Sequence, residues 1–129
     1  MRTLFVFDQD TEFIELLVFV TRSQMNEELQ LLTCSDEFKL AQVIDGKKIN
    51  AALVHCKING SGRSVTKELQ IRKIPFGLIT SRIDPPMQRI ADELGRPLLT
   101  KDNFMKLPLL ETIINLMPSE EGGGSPEIV

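Results

Sequence analysis

The amino-acid sequence predicts one α/β domain of five βα units, a three-layer sandwich with a parallel sheet between two layers of helices. Three observations carry that expectation. Short apolar runs without polar alternation, Thr3–Phe7 and Ile49–Cys56, suit strands buried on both faces. Stretches with apolar residues three and four apart separate such runs, as helices covering a sheet require. A length of 129 residues matches one domain with enough chain for a full core.

Taken in order, Thr3–Phe7 is the first strand, and it stops at Asp8, Gln9 and Asp10. Asp10 or Thr11 caps a helix over about 12–23. Its inner face is Phe13, Leu16, Leu17 and Val20, while Val18 and Phe19 fall near the opposite face, where neighbouring helices are expected to cover them. Residues 28–34 read as an edge strand, because Gln30 interrupts the apolar run. Ser35 caps a second helix over about 36–44, with Phe38, Leu40, Ala41 and Ile44 facing inward and Asp45–Gly46 ending it. The third strand, Ile49–His55, ends at the chain's only histidine. A loop over 57–64 follows; Gly60–Arg63 lacks the spacing of a phosphate-binding loop and reads as surface. A short third helix starts at Ser64 or Thr66 and runs to about Arg72. Ile74–Thr80 is the fourth strand, with Pro75 tolerated near its start. Asp84 followed by Pro85 and Pro86 starts the fourth helix, which carries Met87, Ile90, Ala91 and Leu94 and ends at Gly95. Arg96–Thr100 is a short fifth strand before Lys101, and a last helix over about 107–117 buries Leu110, Ile113, Ile114 and Met117. The domain is thus 1–117, and the glycine-rich stretch 118–129 reads as a flexible tail or linker.

Composition excludes several classes of function. A net charge of −3 offers no general basic surface to nucleic acid, and a chain without Trp or Tyr lacks the usual stacking platforms. The longest apolar run, Leu16–Val20, is far too short to span a bilayer, and no signal-peptide pattern opens the chain, so a cytoplasmic location is expected. Cys34 and Cys56 show no metal-type spacing and read as two reduced thiols. A metal site of Asp8, Asp10, His55 and Cys56 is disfavoured, because adjacent residues on a strand point to opposite faces.

Over residues 1–117 the order and spacing resemble the receiver domain of bacterial response regulators, the CheY-like type of flavodoxin-like fold used in two-component (phosphorelay) signal transduction. Residues 4–17 resemble the family's first strand, acidic cluster and first helix; Asn50–His55 its third strand; Ile74–Ser81 its fourth; and Leu98–Asp102 its fifth. The resemblance implies strand order 2-1-3-4-5, with function at the carboxyl edge of the sheet. It puts Asp8 and Gln9 at the two acidic positions, His55 at the phosphoacceptor aspartate, Thr80 at the hydroxyl that reads the phosphoryl group, and Lys101 at the lysine that pairs with its oxygens.

The departures from that family shape the functional expectation. Receivers hold a divalent metal through the second acidic residue, the acceptor aspartate and a backbone carbonyl; here these positions are Gln9, His55 and Lys57. Magnesium prefers hard oxygen ligands in near-octahedral array, so no cofactor is expected and magnesium is not expected to bind tightly. Asp102 stands where the family has proline. The resemblance therefore implies a degenerate phosphorylation pocket of Asp8, Gln9, His55, Thr80 and Lys101, with His55 pairing to Asp8 in place of part of the metal site. The expected function is a receiver-like signalling module, not an enzyme, that acts by protein–protein contact without aspartyl phosphorylation. Its partners, other signalling proteins or a second copy, are expected at the face of the fourth helix, fifth strand and last helix. Arg89, Asp92, Glu93, Arg96, Leu99 and Lys106 stand there. Two alternatives stay open: an active response regulator with His55 as a non-standard acceptor or an altered metal set, and a small-ligand module using the carboxyl-edge pocket.

Overall fold

A computed structural model describes residues 2–24, 29–56 and 62–101. Its elements are β1 (Arg2–Phe7), α1 (Thr11–Gln24), β2 (Leu29–Cys34), α2 (Leu40–Ile44), β3 (Ala51–His55), α3 (Arg63–Ile71), β4 (Phe76–Thr80), α4 (Pro85–Leu94) and β5 (Leu98–Thr100). The strands pair in parallel in the order β2-β1-β3-β4-β5, as expected. The helix expected over 107–117 and the tail at 118–129 lie outside the described residues.

The period of two along each strand sorts the core into two layers. Leu4, Val6, Leu53 and Ile79 face Phe13 and Leu17 of α1. Phe5, Phe7, Val54, Phe76 and Leu78 face Leu40 and Ile44 of α2, Val65 and Leu69 of α3, and Met87 and Ala91 of α4. Helices on both faces explain why the central strands carry no polar alternation. At the amino edge, buried Asn50 pins β1 to β3: its side-chain oxygen accepts from the Thr3 amide at 2.7 Å, and its amide donates to the Thr3 carbonyl at 2.9 Å.

Helix ends follow their caps. The Asp84 carboxylate accepts from the Met87 amide at 3.0 Å, proline opens α4, and Gly95 closes it. At α1, Asp10 is the cap, accepting from the Phe13 amide at 3.2 Å. The buried stripe of α1 is centred on Phe13 and Leu17, which leaves Leu16 exposed, contrary to expectation. The second helix also differs. Asp36, not Ser35, is the cap, and Glu37–Lys39 form a tight 3₁₀ turn before α2 begins. That turn has three residues per turn rather than 3.6, so it rotates Phe38 away from the core, where it is 96 % exposed. Leu40 and Ile44 are buried against the sheet and Val43 packs partly against the same layer; Ala41 is exposed. Strands three to five are shorter at their starts than their apolar runs, because Ile49, Asn50, Ile74, Pro75, Arg96 and Pro97 precede the paired segments.

Candidate functional site

Three strand ends meet at the carboxyl edge of the sheet. Asp8 follows β1, His55 closes β3, and Lys101 follows β5. Strand parity puts each of them on the α1 side, in step with Val6, Leu53 and Leu99. His55 Nδ1 lies 3.2 Å from Asp8 Oδ1, and Lys101 Nζ lies 2.9 Å from Asp8 Oδ2. Lys101 Nζ is also 3.6 Å from Asp10 Oδ2 and 4.9 Å from the centroid of the Phe13 ring.

Asp8 is wholly buried, while the His55 and Lys101 side chains keep 15 % and 13 % of their surface. A buried carboxylate needs donors and counter-charge. The Asp10 amide donates to Asp8 Oδ1 at 2.9 Å. Lys101 approaches Oδ2 off the hydrogen-bonding direction, so that contact is one of charge rather than an aligned hydrogen bond. Burial alone would raise the Asp8 carboxyl; the His55 contact, the Asp10 amide and Lys101 outweigh it and hold the group below its ordinary value.

The five expected pocket residues do not all converge. Asp8, His55 and Lys101 are in contact, whereas Gln9 is exposed beside them. Thr80 is buried at the end of β4, one residue past Ile79 and so of opposite parity to it, and its hydroxyl donates to the Arg82 carbonyl at 3.2 Å. Asp10 joins the cluster through both its amide and its carboxylate. Its spacing of two from Asp8 was the available signal, since a capping residue just past a strand sits at the same edge. Cys56 is buried on the face opposite His55, in the layer of Val54, and burial pushes its thiol up. Cys34 is likewise a free buried thiol, donating to the Asp36 carbonyl at 3.1 Å.

Of the residues expected at a partner surface, Arg89, Asp92 and Glu93 are exposed on α4. Arg96 is half-buried with its guanidinium 4.5 Å from the Phe76 ring centroid, and Leu99 packs against the α1-side core. Lys106 lies outside the described residues.

Comparison with solved structures identifies the fold. The chain superposes with a TM-score of 0.72 and 18 % identity on the N-terminal signal receiver domain of a two-component response regulator from Bacteroides fragilis, covering 92 % of this chain and 98 % of that one. A CheY-like receiver domain protein from Methanospirillum hungatei gives 0.69 and 18 %, covering 96 % and 99 %. A response regulator from Thermotoga maritima gives 0.74 and 12 %, covering 92 % and 99 %. The fold is that of receiver domains. No protein-family model and no curated protein matches the chain.

A receiver fold implies a divalent metal at this edge, and the residues present do not fit one. Both Asp8 oxygens already face cationic or donor groups, and the neighbouring strand end presents an imidazole nitrogen where an oxygen is needed. Among the described residues, no three His, Cys, Asp or Glu side chains are grouped to hold a metal ion. No described helix is long and apolar enough to cross a membrane.

Proposed function

We propose that this chain is a receiver-fold module of two-component signal transduction that works by protein–protein contact and carries no aspartyl phosphate. One observation carries the reading: the Asp8 carboxylate is closed by His55 Nδ1 and Lys101 Nζ of the protein itself. Aspartyl phosphorylation needs a carboxylate nucleophile at the end of β3 and a metal to neutralise the transferring group. His55 stands at that strand end, and Lys101 is committed to two carboxylates. The module is then not an enzyme but a cytoplasmic scaffold. The exposed charges of α4, Arg89, Asp92 and Glu93, are the first candidates for its contact with a signalling partner or a second copy.

A second reading takes His55 as the phosphoryl acceptor. The Asp8 contact at Nδ1 leaves Nε2 as the ring nitrogen available to a donor. One experiment separates the two. The full chain is incubated with acetyl phosphate and magnesium and followed by intact mass, and with beryllofluoride and magnesium followed by amide NMR. The contact reading expects no added phosphoryl mass and no shifts at residues 8, 55, 80 and 101. An acid-labile phosphoryl group on His55 would establish the second reading instead.

A further inference from the structure

We propose that the groove between α3 and α4 docks an acidic polypeptide segment of the partner; this rests on the contact reading above and names the partner's chemistry. The groove has a volume of about 350 Å³ and is lined by Arg63, Ser64, Thr66, Lys67, Gln70 and Leu94. Among the described residues no carboxylate lines it, in a chain whose net charge is −3. Arg63 and Lys67 are exposed and one helical turn apart, and among the described residues neither is in an ion pair. The same helix shows what a satisfied cation looks like: Arg72, at its end, pairs with both Glu68 and Asp45.

The remaining groove polar groups narrow the occupant. Ser64 Oγ donates to Glu37 and Thr66 Oγ1 to the Arg63 carbonyl, so both hydroxyls are spent internally. Glu37, held by Ser64, sets a negative boundary at the start of α3. Arg63, Lys67 and Gln70 are left along one wall, with the half-buried Leu94 opposite. Residues four apart on a helix have Cβ atoms roughly 6 Å from one another, so Arg63 and Lys67 project side by side from one face. Carboxylates on alternate residues of an extended chain, about 7 Å apart, match that spacing. The apolar wall gives such a chain a side-chain contact that a bare inorganic anion does not use.

The groove is joined to the strand-edge cluster through backbone. Gly62, which caps α3, approaches so closely that a Cβ there would lie 2.5 Å from the His55 carbonyl oxygen and 3.1 Å from Cys56 Cα. A load on the first turn of α3 therefore reaches His55 without an intervening side chain.

The test is an amide NMR titration of the full chain with hexaglutamate at low and at physiological salt, with inorganic phosphate titrated separately. The expected result is saturable shifts confined to residues 63–70, 94 and His55, all along one isotherm and weaker at high salt. Arg63→Ala with Lys67→Ala should weaken binding at least fivefold. Lys47→Ala with Lys48→Ala, the same change in net charge at exposed sites elsewhere, should leave it within twofold. Shifts spread over the surface, or equal losses in the two double variants, would overturn the proposal. So would phosphate producing the same shifts with the same affinity, which would make this a small-anion site. Phosphorylation of His55 by acetyl phosphate would sink the contact reading, whereas this titration is run on the unphosphorylated chain and reports the groove alone, so the two failures are distinguishable.

Discussion

Within one sheet, the middle and the carboxyl edge are held together by different physics. Across its middle, β3 is Ala51, Ala52, Leu53 and Val54, with no exposed surface, and its neighbours are Phe5, Val6 and Leu78. No charge is involved, and stability there follows apolar area and fit. One residue further on, the same strand reaches His55, and the neighbouring strand ends supply Asp8 and Lys101. There a fully buried carboxylate survives only because charge and an amide answer it. The difference teaches where to look for function. The middle is sensitive to one kind of change, in volume, while the edge is a set of mutually dependent charges that a ligand, a partner or a proton can shift.

The largest expected effect belongs to the middle. Phe5 is wholly buried on β1 among the residues facing α2, α3 and α4. Phe5→Ala should cost about 3–5 kcal/mol through lost transfer energy and the cavity left behind. Because no titrating group is involved, urea denaturation at pH 7 and pH 5 should show the same loss. A loss that changed with pH would mean the core and the edge are not separable.

The edge should respond to charge, and to pH. Lys101→Met keeps an unbranched side chain at this position and removes the ammonium that sits over Phe13 and beside Asp8. The expected cost is about 2–3 kcal/mol at pH 7, below the roughly 3–5 kcal/mol of breaking a fully buried pair, because His55 and the Asp10 amide remain. The sign with pH follows from the Asp8 carboxyl, which lies below its ordinary value in the folded chain. Its contribution is complete above about pH 5. It begins to fade as pH approaches the unfolded-chain value of about 3.9 and is lost as pH falls through the lower folded value. Removing Lys101 narrows that gap. The difference between parent and variant should therefore stay constant from pH 7 to about pH 5 and shrink as pH falls below about 3.9, through the lowered folded value; curves that stay parallel down to the acid limit would show that Lys101 does not hold Asp8.

How much of this was legible beforehand depended on whether a local signal and the tertiary outcome coincided. For α4 they did: Asp84, two prolines and Gly95 mark both ends, and Met87 and Ala91 occupy the inward face. For the second helix they did not, because a 3₁₀ turn changes the angular step and no periodicity count assumes it; Phe38 was expected inside and is outside. The pairing of His55 with Asp8 could be anticipated from strand order, since β1 and β3 are neighbours. The involvement of Asp10 was legible from its spacing to Asp8, whereas the turning of the Thr80 hydroxyl toward Arg82 depends on a loop path, which spacing does not encode.

The smallest expected effect tests whether the edge is also held by backbone. Gly46 and Gly62 both have positive φ, +75° and +89°. A side chain at Gly46 would meet nothing within 4 Å, so Gly46→Ala should cost only the left-handed strain of about 1 kcal/mol. Gly62→Ala carries the same strain and adds a Cβ placed 2.5 Å from the His55 carbonyl oxygen, with backbone on both sides of the contact. Its cost should be about 1–3 kcal/mol. The sharper readout is local. Relief of the clash must move either the start of α3 or the end of β3, so amide shifts should appear at His55 and Asp8 in Gly62→Ala and be absent in Gly46→Ala. If both variants lose the same stability and leave residues 8 and 55 unmoved, the edge is held by its charges alone and α3 is not coupled to it.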